Sequence, residues 1–229
     1  MKVNNIFLII IFFTFVISCS KNQIKTENII KEKNLDSQVL EAYKSGMESL
    51  ETGDVLFAAK KFNEAEMLFP QSEWAPKAAL MAAYSYYSQD YYGDAILELQ
   101  RFIKLYQNYK NIDYAYYLLA ICYYEQIVDE KKDLQSIIKA KQTFNKVISD
   151  YPNTDYAIDA KYKIDLINNI LASKEMYIGR YYIQKEKWIP AINRFKNVIN
   201  KYGTTIFAEE ALHRLVEIHY KIGLINESE

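Results

Sequence analysis

The feature that most constrains this fold is a seven-residue pattern that the chain contains three times. Each copy begins with an aromatic residue followed by Pro or Gly, has Ser or Thr at its fourth place, and ends with an aromatic residue and Ala. The copies are FPQSEWA (69–75), YPNTDYA (151–157) and YGTTIFA (202–208). Because Pro and Gly end helices, each copy is expected to mark the boundary between two helices.

The hydroxyl residue of each copy is placed to cap the helix that follows, since Ser and Thr oxygens accept bonds from the free N–H groups of a first turn. This predicts Ser72, Thr154 and Thr205 as N-caps. Apolar residues recur at helical spacing between the copies. The 229-residue chain has 6 Gly and 4 Pro, too few for the turns of a β-sandwich or barrel, so an all-α fold is expected.

Small residues at a fixed spacing predict pairs of closely crossing helices. Counted from Val39, the eighth and twentieth residues are Gly46 and Ala58, and the twenty-fourth is Phe62. Two antiparallel helices approach closely only where both residues at the crossing are small, and a large residue then fills the gap beside them. This spacing closely resembles that of the tetratricopeptide repeat (TPR).

A second unit in the same register begins at Ala172, and its three positions are Gly179, Ala191 and Phe195. The agreement of two separate units argues against chance. Since a single helix pair buries little surface alone, such units stack on one another and form a continuous core. We therefore predict a right-handed TPR-type solenoid of helix pairs.

Two looser units and one incomplete unit bring the expected number to five. The looser ones begin at Pro76 and Asp113, and the second of these has a polar insertion between its helices (129–136). The segment 207–224 is predicted to be the first helix of the last unit, and the partner helix of this unit is cut short.

A long helix is expected to connect two groups of repeats. Residues 155–187 contain no Pro and, apart from Gly179, no Gly, so they predict one continuous helix. We therefore assign units one to three to an N-terminal group (37–152) and units four and five to a C-terminal group (153–229).

The N-terminus has the pattern of a bacterial lipoprotein. Residues 1–18 combine a cationic start with an apolar run that is shorter than the roughly 20 residues needed to cross a bilayer, which is typical of a cleaved signal peptide. The run ends in Val-Ile-Ser-Cys, which is similar to a lipobox and predicts lipidation of Cys19. An ordinary signal peptide with a chance Cys is the alternative. The polar residues after Cys19, up to 36, are expected to be a flexible tether.

First helices of stacked units usually line a concave groove that binds peptides. Positions five, nine and twelve of the first three units are expected to face it, which makes the groove aromatic rather than cationic. An aromatic groove suits a peptide with alternating aromatic side chains. Packing between helices is the alternative role of these tyrosines. The expected groove residues are Tyr43, Met47, Leu50, Leu80, Tyr84, Tyr87, Tyr117, Ile121 and Tyr124.

Catalysis finds little support in the sequence. His213 and His219 are six residues apart on one expected helix and so point to different faces, which gives no zinc-binding pair. No nucleotide-binding or nucleophile motif is present, so we expect no cofactor, no metal and no enzymatic activity. Cys122 lies among apolar residues and reads as a small core residue rather than a reactive thiol. The net charge of −1 gives no sign of nucleic-acid binding.

The whole combination resembles the BamD family of lipoproteins, which belong to the β-barrel assembly machinery of the bacterial outer membrane. The stretches that carry this resemblance are IDYAYYLLAICYYEQIVDE (112–130), YPNTDYAIDAKYKIDLINNILASKEMYIGRYY (151–182), PAINRFKNVINKY (190–202) and EALHRLVEIHYKIGL (210–224). The segment 106–115 departs from the family because it lacks a Pro often found there.

The resemblance implies a protein held by lipid on the periplasmic face of the outer membrane. Its N-terminal repeats would receive unfolded outer-membrane proteins, and its C-terminal repeats would hold the barrel subunit BamA. Arg194 matches a family position associated with that contact, and a solvated helix arginine is the alternative. A TPR lipoprotein of pilus assembly or cell-wall synthesis, and a soluble periplasmic repeat protein, are the rival interpretations of the chain.

Overall fold

The computed structural model describes residues 34–127 and 134–224, and this part of the chain is helical throughout, without strands. The expected all-α class is thus confirmed. The helices of the described ranges are α1 (Leu35–Glu51), α2 (Val55–Leu68), α3 (Trp74–Tyr87), α4 (Tyr92–Leu105), α5 (Ile112–Glu125), α6 (Gln135–Asp150), α7 (Asp155–Gln184), α8 (Trp188–Tyr202) and α9 (Ala208–Lys221).

Each helix packs mainly against the next one along the chain, as expected for stacked helix pairs. The pairs are α1–α2, α3–α4, α5–α6 and α7–α8, and α9 follows them. Helix α3 contributes Ala78 and Ala82 to one apolar core and Ala79 and Ala83 to the next, so it is buried on two sides. The long helix α7 likewise joins two cores, because its first half packs with α5 and α6 and its second half with α8 and α9.

The paired helices approach each other as closely at the small residues as the spacing predicts. A Cβ atom on Gly46 would lie 2.8 Å from the Phe62 ring, and one on Gly179 would lie 2.7 Å from the Phe195 ring. The twentieth and twenty-fourth positions of all four complete units are fully buried. These residues are Ala58, Ala95, Ala140 and Ala191 at position twenty, and Phe62, Leu99, Phe144 and Phe195 at position twenty-four.

The seven-residue pattern forms the turns between units, but its hydroxyls act differently from the prediction. Thr154 does cap α7, because its Oγ1 accepts a bond from the Ala157 N–H. Ser72 and Thr205 cap no helix, since α3 and α9 begin two and three residues later, respectively, without a side-chain cap. Instead, all three hydroxyls donate to the carbonyl of the aromatic residue three places back. The hydroxyl therefore closes the turn that ends the preceding helix.

A fourth copy of this turn connects α4 to α5. The Tyr109 N–H donates to the Tyr106 carbonyl and the Ile112 N–H to the Tyr109 carbonyl, which are the same two backbone bonds found in the other three copies. Its sequence has Gln, Tyr and Ile where the pattern has Pro or Gly, Ser or Thr, and Ala. The backbone bonds are sufficient for the turn without those side chains, which is why the sequence pattern missed this copy.

The turns within units use a residue with positive φ. Gly53, Asp90 and Glu186 have φ values of 84°, 64° and 56°, and in each turn the next N–H bonds to the carbonyl five residues back. This is the hydrogen bond of a Schellman motif, in which the positive-φ residue ends the helix. Helix α9 ends in the same way at Gly223, so it has the C-terminus of a unit's first helix.

Two helix boundaries differ slightly from the expected ones. Helix α1 begins at Leu35, so the last two residues assigned to the tether are helical. Helix α7 ends at Gln184 rather than 187, because the chain turns at Glu186. The expected signal peptide and Cys19 lie outside the described residues. No helix in the described ranges is both long and apolar enough to cross a membrane.

An ion pair with a buried carboxylate and a partly exposed guanidinium joins the first two units. The carboxylate of Glu66 on α2 accepts two bonds from the Arg101 guanidinium on α4, at 2.8 and 2.7 Å, and a third from the Tyr106 hydroxyl. The Glu66 side chain is 8% exposed. Bonding to Glu66 raises the pKa of Arg101, and burial followed by the bond to Glu66 raises the pKa of Tyr106. The Arg101 guanidinium therefore keeps its charge and the Tyr106 hydroxyl keeps its proton at neutral pH.

Candidate peptide-binding cavity

First helices of three successive units surround one cavity of about 350 Å³. Its walls come from α1, α3, the turn between α4 and α5, and the start of α5. We call it the tyrosine cavity. Its lining residues are Tyr43, Lys77, Leu80, Met81, Tyr84, Tyr109, Lys110, Asn111 and Tyr114. The volume lies in the lower part of the range of small-ligand pockets.

Aromatic packing fixes the walls of the tyrosine cavity. The Tyr43 ring meets the rings of Phe62 and Trp74 edge-on, each at 5.2 Å between centroids. Tyr109 packs edge-on against Phe102 at 5.8 Å. Phe62 and Phe102 are core residues of units one and two, so Tyr43 and Tyr109 pack against side chains that are held in fixed positions. The cavity is therefore preformed by the same packing that stacks the units.

The hydroxyls of the lining tyrosines are available for a ligand. Elsewhere, Tyr106, Tyr117 and Tyr123 use their hydroxyls in bonds to other side chains. Within the described ranges, the hydroxyls of the cavity tyrosines form no such bonds. Burial raises the pKa of Tyr43, Tyr109 and Tyr114, so these phenols remain neutral donors at neutral pH.

Two lysines make one part of the cavity positive. Lys77 on α3 places its Nζ 4.7 Å from the centre of the Trp74 ring, and Lys110 is exposed in the α4–α5 turn. No carboxylate lines the cavity, and neither lysine pairs with an acidic side chain in the described part of the chain. The sequence predicted an aromatic and not a cationic groove, so these lysines are an addition to that prediction.

The structure brings three of the nine expected groove residues into this cavity, namely Tyr43, Leu80 and Tyr84. Met47 and Leu50 lie partly buried beside the core of the first unit. Tyr87 packs between Tyr84 and Tyr92.

The third unit contributes less surface than expected. Ile121 is 6% exposed within the main core, so its assignment to the groove surface is corrected: its side chain fills space between helices. Tyr117 donates its hydroxyl to Asp159 on α7 at 2.7 Å, and Tyr124 packs edge-on against Phe144. For both tyrosines, the contacts are those of the alternative role, packing between helices.

Sequence reasoning missed the second position of units two and three, which also lines the cavity. Lys77 and Tyr114 are the second residues of units two and three, one helical turn before Leu80 and Tyr117. Residues three apart share a helix face, so this position could have been found from the same counting. Tyr109 and Lys110 lie in the turn between α4 and α5, whose sequence does not show the seven-residue pattern.

Arg194 lies on α8 and pairs within the chain. Its Nη1 is 3.3 Å from both carboxylate oxygens of Glu175 on α7, which also accepts a bond from Asn197. The Arg194 side chain is 36% exposed. It is thus accessible at the surface and also held in place by Glu175.

The remaining reactive residues have ordinary roles. His213 lies beside Glu217, with 3.2 Å between Nε2 and the carboxylate, whereas His219 is buried, so the two face different ways as predicted. Burial raises the pKa of the Cys122 thiol to about 12, which keeps it protonated and supports the interpretation as a core residue. No cluster of potential metal ligands occurs among the described residues.

Comparison with known proteins decides the family. Residues 35–229 match the model of the YfiO family, which is described as outer membrane lipoprotein. This chain belongs to the YfiO family. The resemblance to BamD that the sequence suggested is confirmed as well, because curated YfiO relatives carry the name "Outer membrane protein assembly factor BamD".

Three of these YfiO relatives indicate the range of similarity. The protein of Caulobacter vibrioides is 44% identical over 81% of this chain, that of Rickettsia prowazekii 42% over 81%, and that of Neisseria gonorrhoeae 29% over 81%. The chain spans 61%, 74% and 73% of these proteins, respectively. Among solved structures, the TPR2AB domain of yeast Sti1 in a pHSP90 complex overlaps 84% of this chain and 74% of its own, at 14% identity and a TM-score of 0.48. That likeness is too loose to support any inference.

Proposed function

We propose that this chain is a lipid-anchored periplasmic scaffold of the outer-membrane β-barrel assembly complex. In this role it binds unfolded outer-membrane protein clients through its N-terminal repeats and the barrel subunit BamA through its C-terminal repeats. The observation that carries the proposal is the tyrosine cavity, preformed by three units, in a chain whose relatives are named assembly factors.

The chemistry of the cavity suits an unfolded client. Tyr43, Tyr84 and Tyr109 offer large aromatic surfaces together with hydroxyls, which can bond to a peptide backbone while their rings contact apolar side chains. The segments of outer-membrane proteins that form barrel strands alternate apolar and polar residues, so every second side chain of the unfolded segment can enter an aromatic site. The rigid walls lower the entropic cost of binding.

Client binding can be tested with a labelled peptide of alternating aromatic residues. We expect Tyr84→Ala to weaken its binding by about tenfold or more, as for a residue at the centre of an interface. Tyr162→Ala is the matched control, because Tyr162 is 67% exposed on α7 and lies outside the cavity. Equal binding by the two variants would contradict the proposed site.

The BamA contact at Arg194 needs a variant that preserves its internal partner. Arg194→Glu alone would place two carboxylates together, so a loss of binding could come from local destabilisation. The double variant Arg194→Glu/Glu175→Arg restores an internal pair while reversing the charge at position 194. We expect it to recover less BamA than the wild type in affinity purification from detergent-solubilised membranes. Wild-type recovery of BamA by the double variant would reject the assigned role.

The same purification separates this proposal from its rivals, since BamA should be the dominant partner. Components of pilus assembly or cell-wall synthesis as dominant partners would instead support a different envelope machine. The anchor is tested by Cys19→Ala, which should abolish incorporation of radiolabelled palmitate and membrane association. Unchanged labelling of this variant would contradict lipidation at Cys19.

A further inference from the structure

Three helix ends meet at the C-terminal end of the fold. Helix α7 ends at Gln184, α8 begins at Trp188 and α9 ends at Lys221. Because α8 packs against both α7 and α9 and the connections are short, these ends lie on the same side. They enclose a groove whose lining residues are Ile183, Trp188, Glu217, Ile218, Tyr220 and Lys221.

Apolar and aromatic side chains project from these helix ends. Ile189 and Tyr220 are 63% and 71% exposed, and Tyr181 and Leu224 are exposed as well. Trp188 packs in part against the core behind it and keeps the rest of its ring at the surface. We call these five residues, together with the exposed lysines beside them, the C-terminal patch. The lysines are Lys185, Lys187 and Lys221.

The lysines of the patch stand next to its aromatic rings. The Nζ atom of Lys221 lies 4.8 Å from the centre of the Trp188 ring, and that of Lys185 lies 5.8 Å from the centre of the Tyr181 ring. Within the described ranges, none of the three lysines forms an ion pair with an acidic side chain. The patch therefore combines apolar surface with positive charge that the chain itself does not neutralise.

Charge distinguishes this patch from the matching turns of the first two units. Those turns, 51–55 and 88–92, contain acidic residues and no lysine or tryptophan. At the patch, Glu217 already pairs with Arg214, which leaves Glu186 among three lysines. Since the turn forms without these residues in units one and two, their presence at the patch is not required by the fold.

The combination fits the surface of a lipid bilayer. Trp and Tyr concentrate where a bilayer meets water, because their rings are partly apolar and partly polar. Lysines near that surface are attracted to anionic head groups. In contrast, Lys is depleted from interfaces between proteins. We propose that the C-terminal patch contacts an anionic phospholipid bilayer, with Trp188, Ile189 and Tyr220 at head-group depth and the lysines beside lipid phosphates. This contact goes beyond the proposed scaffold function and is separate from the predicted lipid on Cys19.

The two tryptophans of the chain allow a direct test. Trp188 belongs to the patch, whereas Trp74 packs against Tyr43 in the first unit. The full-length lipoprotein is reconstituted into vesicles of phosphatidylglycerol and phosphatidylcholine brominated near the head group, since bromine quenches nearby tryptophan fluorescence. Trp74→Phe retains only Trp188, and Trp188→Phe retains only Trp74 as the internal control. We expect the brominated lipid to quench Trp188 at least about twofold more strongly than Trp74.

The lysines are tested in the Trp74→Phe background. Changing all three patch lysines to Gln should lower the quenching of Trp188 to about the level of Trp74, because the attraction to anionic lipid is lost. The matched control changes three exposed lysines outside the patch and should keep the full quenching. Circular dichroism of each variant establishes that the helices are intact. The control lysines are Lys60, Lys104 and Lys201.

Flotation of the vesicles separates this inference from the proposed lipid anchor. Protein that floats with the vesicles but shows equal quenching of both tryptophans would overturn the bilayer contact and leave the anchor in place. Quenching of Trp188 that persists without the patch lysines would overturn their assigned role. Loss of this quenching when BamA is reconstituted together with the protein would overturn the bilayer as the occupant and assign the patch to a protein partner. Protein that fails to float would overturn both the anchor and the contact.

Discussion

The first three helix pairs and the segment from α7 to α9 share one packing rule but present different surfaces. Gly46 under Phe62 and Gly179 under Phe195 are the same crossing built twice. Around the first crossings, tyrosine rings pack on one another and on core phenylalanines. Around α9, charged side chains dominate instead.

The charged cluster of the C-terminal segment runs through five residues of α7 and α9. Arg180 donates to Glu210, which also pairs with Arg214, and Arg214 pairs in turn with Glu217 beside His213. The comparison of the two regions shows that a helix crossing requires particular residues at only a few positions of each helix. The other faces are free to form an aromatic cavity in one region and an ionic surface in the other.

The largest expected effect distinguishes the ion pair of the N-terminal region, whose carboxylate is buried, from that of the C-terminal region, whose carboxylate is only partly buried. Arg101→Met leaves the buried carboxylate of Glu66 without its cation, so the free energy of unfolding should fall by about 3 kcal/mol. Arg194→Met opens a more accessible pair with Glu175 and should cost at most about 1 kcal/mol. Urea unfolding followed by circular dichroism measures both, and equal losses would remove this distinction.

The two glycine crossings should respond alike if they are the same structure. Gly46→Ala and Gly179→Ala each push a methyl group into a core phenylalanine ring, which should lower the free energy of unfolding by about 1–3 kcal/mol. Gly93→Ala serves as the control, because nothing lies within 4 Å of the added methyl and Ala favours the helix, so stability should be unchanged or slightly higher. A cost at one crossing alone would show that the two regions are packed differently.

At the turns within units, replacing the positive-φ residue by glycine is expected to raise the stability slightly. Glu186 adopts a positive φ that glycine adopts without strain, so Glu186→Gly should raise the free energy of unfolding by about 0.5 kcal/mol after the added freedom of the unfolded chain is counted. Asp90→Gly should gain less, because Asp90 accepts a bond from the Tyr92 hydroxyl at 2.6 Å. Thermal unfolding of the two variants compares them, and a larger gain for Asp90→Gly would contradict this account.

Another small effect concerns the ionic surface and depends on pH. The bond from Arg180 lowers the pKa of Glu210 below its usual 4.5, so this carboxylate stabilises the fold above that pH and loses the contribution as the pH falls through its lower folded value. Because Glu210 is about one third exposed, the contribution is at most about 1 kcal/mol. Wild type and Glu210→Gln should therefore differ in stability at neutral pH and converge in acid. A difference that persists in acid would exclude this ionic origin.

The helix pairs and their register could be predicted from the sequence without the structure. Gly46, Ala58 and Phe62 lie at the crossing they predicted, because close packing allows only small residues there and the spacing follows from helix geometry. The turns were less predictable. Ser72 and Thr205 were expected to cap helices but close the preceding turn, since a hydroxyl can accept from the next helix or donate to the last one.

The tertiary structure alone decided which side chains form the cavity. Tyr109 and Lys110 lie in a turn whose sequence carries no signal, and they meet Tyr43 only because units one to three stack on one another. Ile121 was expected at the groove surface, yet it is buried by neighbouring helices. The spacing of residues along one helix defines its faces, whereas the surface that a face presents depends on the helices packed around it.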